Sequence, residues 1–171
     1  IPTRVQLVFR EWGDTDPHLP ITFDGSTDGC YRIERSGKQI LLVSPEIPRF
    51  MASTSDPDDF RTNPDRECVE ATLAAFQHRA PGVRHVGTTT GTSGLYTINE
   101  QDSHPIVGPS EIPGLWLVNG FSGHGFKLAP GIGAMVARAI TGTEAPFDPD
   151  IRDDLFAIDR TPLATSGGVF A

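Results

Sequence analysis

The stretch Gly120-Phe121-Ser122-Gly123-His124-Gly125-Phe126-Lys127-Leu128-Ala129-Pro130 constrains this chain more than any other, because it carries an apolar run through three glycines straight into a helical pattern. Leu115-Trp116-Leu117-Val118-Asn119 before it reads as a buried strand. Ile132-Gly133-Ala134-Met135-Val136-Ala137-Arg138-Ala139-Ile140 after it reads as a helix, stopped by Gly142. A strand-to-helix turn of this composition presents unpaired main-chain N–H groups and the positive end of a helix to whatever lies above it. Its glycines allow the backbone a close approach to a flat or anionic ligand.

The chain has 171 residues, enough for one domain or two small halves with a real core. Lys and Arg number 14 against 22 Asp and Glu, a formal net charge of -8. That balance argues against a nucleic-acid backbone or an anionic membrane as partner and favours a small molecule or another protein. Two cysteines, Cys30 and Cys68, stand too far apart in sequence for metal-ligand spacing and read as reduced thiols, with a disulfide as the alternative. No apolar run approaches the roughly 20 residues of a membrane helix, and no leader precedes the first strand, so the expected location is cytoplasmic. The chain opens at Ile1 just before a working strand, which reads as a piece of something longer.

Residues 4 to 9 alternate polar and apolar, as a half-buried strand does. Ile21 to Phe23 makes a short strand, Gly25 to Gly29 a turn, and Cys30 to Glu34 pairs with Gln39 to Val43 as a hairpin. Pro45 to Pro64, with four prolines and three Asp, is expected to be a long loop. Asp65 is placed to cap a helix carrying Val69, Leu73, Phe76 and Ala80, which Pro81-Gly82 ends. Val83 to Thr90 is expected as a strand, followed by Gly91 to Thr97. The segment from Asp102 to Pro109 is a tight turn into a short strand, and Ile112-Pro113-Gly114 turns into the next. An irregular tail follows Thr143, with one helical turn near Ile151 to Phe156. The expected class is α+β: an antiparallel or mixed sheet in residues 1–82, and the end of a second domain in residues 83–171.

Several chemistries fail on spacing. The glycines at 120, 123 and 125 are in the wrong order for a dinucleotide-binding G-x-G-x-x-G, and no phosphate-binding Gly-Lys-Ser/Thr occurs. A nucleophile elbow needs glycine two places after its serine, and Ser122 has it one place after, which leaves a serine hydrolase third among the readings. His18, His78, His85, His104 and His124 show no metal-ligand spacing, so no metal is expected.

The eleven-residue signature, the Leu-Trp-Leu-Val strand, the His104 to Pro109 turn and the Gly94-Leu95-Tyr96-Thr97 segment together resemble the C-terminal part of the D-amino-acid oxidase superfamily. The sarcosine-oxidase-like branch of FAD-dependent amine oxidoreductases is the nearest in appearance. The likeness is sharpest over residues 83–142 and rests on strand pattern alone over 1–82. It implies the substrate domain's sheet plus the C-terminal loop and helix that complete a Rossmann-type FAD domain. The N-terminal FAD-binding portion, or a subunit supplying it, would be a partner, and the chain would be roughly the last 45% of such an enzyme.

The resemblance also implies roles. Phe121, Ser122, Gly123, His124, Gly125 and Phe126 would line the flavin edge, and a helix starting near Lys127 would stabilise negative charge there by up to about 2 kcal/mol. Lys127 would also pair with a substrate carboxylate; the alternative is a solvated first-turn lysine. Tyr31 is either a substrate contact on its hairpin or a core tyrosine, His124 either a flavin neighbour or a loop histidine bonded to backbone, and His104 reads as structural. No catalytic residue is assigned. Gly94 stands where several relatives tether the flavin through Cys, so FAD would be non-covalent. Leu42 stands at the position nearest to that of a lysine that helps those oxidases react with O₂, which favours a dehydrogenase. The leading expectation is oxidation of the C–N bond of an amine or amino acid by FAD; the alternative is a non-catalytic module that uses the same fold to bind a partner.

Overall fold

Strand β1 (Pro2–Glu11) has the expected two-residue period, and its more deeply buried side is the polar one. Arg4, Gln6, Val8 and Arg10 are buried, while Val5, Leu7 and Phe9 are half-buried. Polar side chains tolerate burial only when their hydrogen bonds are met. Arg4 donates from Nε to the Arg61 carbonyl at 2.9 Å, from Nη1 to Asp65 at 2.9 Å, and from Nη2 to the Asn63 carbonyl at 2.6 Å and Ser93 Oγ at 3.0 Å. Gln6 donates to Asp65 at 3.0 Å and accepts the Asp65 N–H at 2.6 Å.

This is a computed structural model, and it describes residues 1–12, 20, 22–24, 31–36, 39–43, 50, 51, 56–84, 87–143, 152 and 154–163, with backbone only for 23, 24 and 31–36. Around β1 it builds a five-stranded sheet with β2 (Thr22–Asp24), β3 (Tyr31–Ser36), β4 (Gln39–Val43) and β5 (Thr89–Thr97), in the order β2-β3-β4-β1-β5. The expected hairpin is present: β3 and β4 are antiparallel from Ile33 opposite Leu42 to Ser36 opposite Gln39. Strand β4 also runs antiparallel to β1, from Leu7 opposite Val43 to Glu11 opposite Gln39.

Helix α1 (Arg66–Arg79) covers one face of this sheet. Val8, Ile40, Leu42, Phe76 and Val83 form a buried core with Val69 and Leu73 against it, and each large side chain so buried contributes about 1.5–3 kcal/mol. Asp65 occupies the N-cap position with extended backbone, yet its side chain makes no capping bond. Arg4, Gln6 and Arg61 have taken the carboxylate instead.

The fifth strand lies later than expected. Val83 goes into the core rather than a strand, and β5 starts at Thr89 and absorbs the segment from Gly91 to Thr97. Gly91 makes the close approach possible: a Cβ there would lie 2.5 Å from Pro64 Cγ and 2.6 Å from the Leu7 carbonyl oxygen. Of the Pro45 to Pro64 stretch, residues 50, 51 and 56–64 are described, and 51 and 56–64 carry neither helix nor strand. The Gly25 to Gly29 turn and Cys30 lie outside the described residues, while Cys68 is buried.

The chain divides into two compact units, Pro2–Leu95 and Tyr96–Ala171 with Ile1. In the second, β6 (Ile106–Pro109) and β7 (Trp116–Asn119) pair antiparallel, from Ile106 opposite Asn119 to Pro109 opposite Trp116. Helix α2 (Gly125–Thr141) ends as expected at Gly142, whose φ of +67° lets its N–H reach the Arg138 carbonyl at 2.7 Å. Val107, Ile132, Met135 and Phe156 form the core, with Phe121, Leu128 and Leu163 against it. Asp154 to Phe156 makes a turn in the tail.

Strand β7 corrects one expectation. It is not buried: Leu117 is 38% and Val118 44% exposed. Among the described residues β7 pairs only with β6. Among the described residues, no helix is long and apolar enough to cross a membrane. The architecture is α+β, as expected.

Candidate functional site

The turn between β7 and α2 is held by two local bonds and by one to a residue well before it in the chain. The Gly120 N–H donates to Asn119 Oδ1 at 2.8 Å, the Ser122 N–H to the Thr97 carbonyl at 3.0 Å, and the His124 N–H to the Phe121 carbonyl at 2.8 Å. Ile98 and Phe121 form an isolated antiparallel bridge. Three residues of the turn have positive φ: Gly120 at 70°, Ser122 at 48° and Gly123 at 89°. At Gly123 a Cβ would lie 2.7 Å from the Tyr96 ring, so both its conformation and the space require glycine.

Helix α2 then begins at Gly125, two residues earlier than expected. Its first backbone bond is from the Leu128 N–H to the His124 carbonyl at 3.1 Å. Among the described residues the amides of Gly125, Phe126 and Lys127 have no acceptor, His124 at the N-cap makes no side-chain cap bond, and the first turn has no acidic residue. Phe126 is 97% exposed and Lys127 is exposed beside it. Open amides, the positive helix end and a lysine together favour an electron-rich or anionic group.

His124 is driven toward its neutral form: burial lowers its pKa most, the Lys127 charge and then His104 add to this, and a hydrogen bond from its ring to the Ser103 backbone opposes them. A neutral imidazole suits a site that already carries a cation. Ser122 differs from its neighbours in being fully buried. Its Oγ accepts the Asn99 N–H at 2.9 Å and donates to the Gly120 carbonyl at 3.2 Å.

The expected residues Phe121 to Lys127 thus form one continuous turn in the second unit. Gly94 and Tyr31 belong to the first unit, Gly94 in β5 with nothing within 4 Å of where a Cβ would sit, and Tyr31 on the β3 backbone opposite Asp24. The side chain of Tyr31 lies outside the described residues. A cavity of about 590 Å³ in the second unit, lined by Val107, Trp116, Met135, Val136 and Ile158, receives none of residues 120–127. His104 is structural as expected, its Nδ1 lying 2.6 Å from the Asp102 carbonyl and its ring stacked near Phe156.

Sequence reasoning missed Tyr96, Asn99, Asp102 and Arg160. Asn99 reaches Ser122 across 23 positions and Arg160 reaches Asp102 across 58, separations at which no local pattern carries a signal.

The donor set fits one edge of a flavin: glycine backbone that permits close approach, three open amides and no carboxylate in the first helical turn. Comparison with known proteins agrees. The family described as FAD dependent oxidoreductase (DAO) matches residues 2–139. The chain is 28% identical over 123 residues to FAD-dependent oxidoreductase domain-containing protein 1 of Xenopus laevis, covering 71% of this chain and 23% of that protein. Its fold is similar to that of L-proline dehydrogenase from P. horikoshii, with a TM-score of 0.65 and 20% identity over 85% of this chain and 37% of that one. The chain spans less than half of either relative, and FAD is the cofactor that the family description carries. The chain belongs to the DAO family of FAD-dependent oxidoreductases.

Proposed function

We propose that this chain is the C-terminal part of an enzyme that oxidises the C–N bond of an amine or amino acid. The observation that carries the reading is the start of α2, where three amides without acceptors and Lys127 face outward with no acidic residue in the turn. When bound, FAD would supply the acceptor for a hydride from the carbon next to nitrogen, leaving an imine that would hydrolyse in water.

The chain's own residues prepare for that chemistry. The amides of Gly125, Phe126 and Lys127 donate toward the edge that gains negative charge, a stabilisation that needs no titrating group. Lys127 offsets the desolvation of a substrate carboxylate and fixes the amino acid in place. His124, neutral, adds no second positive charge. Gly94 offers no thiol, so the cofactor is held without a covalent bond there. In this reading residues 1–82 belong to the substrate domain and residues 83–171 to the end of the FAD domain. Strand β7, apolar and open, receives the N-terminal FAD-binding portion or the subunit that supplies it.

Leu42 lies in the core beside Val8 and Phe76. Its apolar character therefore reports packing, and the electron acceptor is assigned by comparing reoxidation with and without O₂. Full-length protein, purified gently, is expected to show visible flavin absorption that bleaches anaerobically with one of a panel of N-methyl, D- or L-amino acids. A protein that neither carries flavin nor gains it on adding FAD would sink the reading and leave the partner-binding module. In the active protein, Lys127→Ala is expected to raise KM for a carboxylate substrate roughly 10–100-fold, the worth of one charge-assisted bond, and to change an uncharged amine far less.

A further inference from the structure

Two of the described residues other than glycine have positive φ, Ser103 at 58° and Ser122 at 48°. Holding such a conformation costs on the order of 1–3 kcal/mol, and it persists only where the surroundings over-determine it. Both serines are bonded to the main chain of one residue, Asn99. Its carbonyl accepts the Ser103 N–H at 2.9 Å, and its N–H donates to Ser122 Oγ at 2.9 Å.

The Asn99 side chain is fixed in turn. Its Nδ2 donates to Asp102 Oδ1 at 3.0 Å and to the His104 carbonyl at 2.8 Å, and its Oδ1 accepts the Gln101 N–H at 3.3 Å. Asp102 is the centre of this cluster. Besides Asn99, its carboxylate accepts the His104 N–H at 3.0 Å, the Leu163 N–H at 2.9 Å, and Arg160 Nη2 at 2.9 and 2.8 Å. Arg160 Nη1 also donates to the carbonyls of Phe156 and Ala157 at 3.3 and 3.1 Å. The side chains of Asp102 and Arg160 are 1% and 9% exposed, so these bonds are not shared with solvent.

A chain of bonds therefore runs from the tail at residues 156–163, through Arg160 and Asp102 to Asn99, and from Asn99 through Ser122 to the turn before α2. Ser122 has no surface to offer a ligand or a substrate, because it is buried and its oxygen is engaged on both sides. Its contribution is to the course of the backbone.

We propose that Asn99 and Ser122 are positioning residues for the flavin edge. Anchored by the Asp102–Arg160 pair and the tail, they hold the left-handed turn that sets the direction of the Gly125, Phe126 and Lys127 amides. This rests on the reading of that turn as the flavin edge and adds to it the device that aims it. Neither residue touches the reacting atoms.

The test uses the full-length protein with its FAD. Ser122→Gly tolerates the positive φ and removes the CH2OH side chain with its two hydrogen bonds, so it separates positioning from folding. It is expected to weaken FAD binding about tenfold and to reduce the preference for reduced over oxidised flavin about tenfold, a midpoint potential about 30 mV lower. Asn99→Ala is expected to shift the potential in the same direction, and the double variant no further than the larger single change, as residues of one network behave. Val83→Ala, in the core of the first unit, is expected to lower the melting temperature without moving the potential. If Asn99→Ala fails to fold, Ser122→Gly alone decides. A Ser122→Gly protein that retains flavin with potential and affinity within twofold of the parent overturns the proposal and leaves the flavin reading standing. A parent protein that binds no flavin overturns the flavin reading and this proposal with it.

Discussion

Each unit is pinned by one buried arginine on an aspartate, and the two pins are built differently. In the first, Arg4 is 8% exposed while its partner Asp65 is 37% exposed and shared with Arg61 and Gln6. In the second, both Arg160 and Asp102 are enclosed, and two backbone N–H groups complete the carboxylate. Water can take over for Arg4 at Asp65 and cannot do so for Arg160 at Asp102. Geometry of the pair alone therefore says little about its worth; what remains for the abandoned partner decides it.

Substitutions that break the contrast should rank accordingly. Asp102→Ala leaves a guanidinium buried without its counter-charge and unties Leu163, His104 and Asn99, and is expected to cost about 3–5 kcal/mol, read from denaturant unfolding of the full-length protein. Asp65→Ala exposes Arg4 to a gap that solvent can enter, while Arg4 retains three other acceptors. About 1–2 kcal/mol is expected there, and equal losses at the two sites would show that enclosure does not set the difference.

Acid sharpens the same comparison. At Asp65 the hydrogen bond from Arg4 lowers the pKa most, and its charge with Gln6 and Arg61 adds to this against the effect of burial. At Asp102 burial pushes the pKa up, but the N–H groups of Leu163 and His104 with Arg160 outweigh it. Both folded values lie below 3.8, so the unfolded chain takes up these protons first. Both contributions are then complete above 3.8 and decline as pH falls below it; Asp102→Asn and Asp65→Asn should each flatten that part of the stability curve. His124 acts in a higher window. Its lowered folded value means stability declines as pH falls below 6.5, and His124→Gln should remove that step. The smallest effect is expected at Arg66, whose pair with Glu70 stands on the surface of α1. Arg66→Ala should leave the melting temperature unchanged within error.

Much of the fold was legible because it rests on short-range patterns. The β3–β4 hairpin, the helix carrying Val69, Leu73 and Phe76, and the stop at Gly142 all follow from periodicity and turn chemistry within a few residues. The glycine turn and Lys127 were legible for the same reason, since a helix start without an acidic residue is visible in the string. Strand β5 was displaced because Val83 could be assigned to strand or core only by knowing what it packs against. Apolar β7 looked buried because hydropathy cannot say whether a covering partner belongs to the same stretch of chain.

By itself, the sequence determined the class of the fold, the turn that gives the candidate site its open amides, and the cofactor family those amides suit. Tertiary structure alone decided which face of β1 is buried, why Asp65 abandons its cap, and how Ser122 is held in a conformation serine rarely adopts. The physical reason is reach. Helical and strand periods act over two to four residues, whereas a buried charge or a strained turn is stabilised by groups such as Arg160 and Asn99 that arrive from tens of residues away.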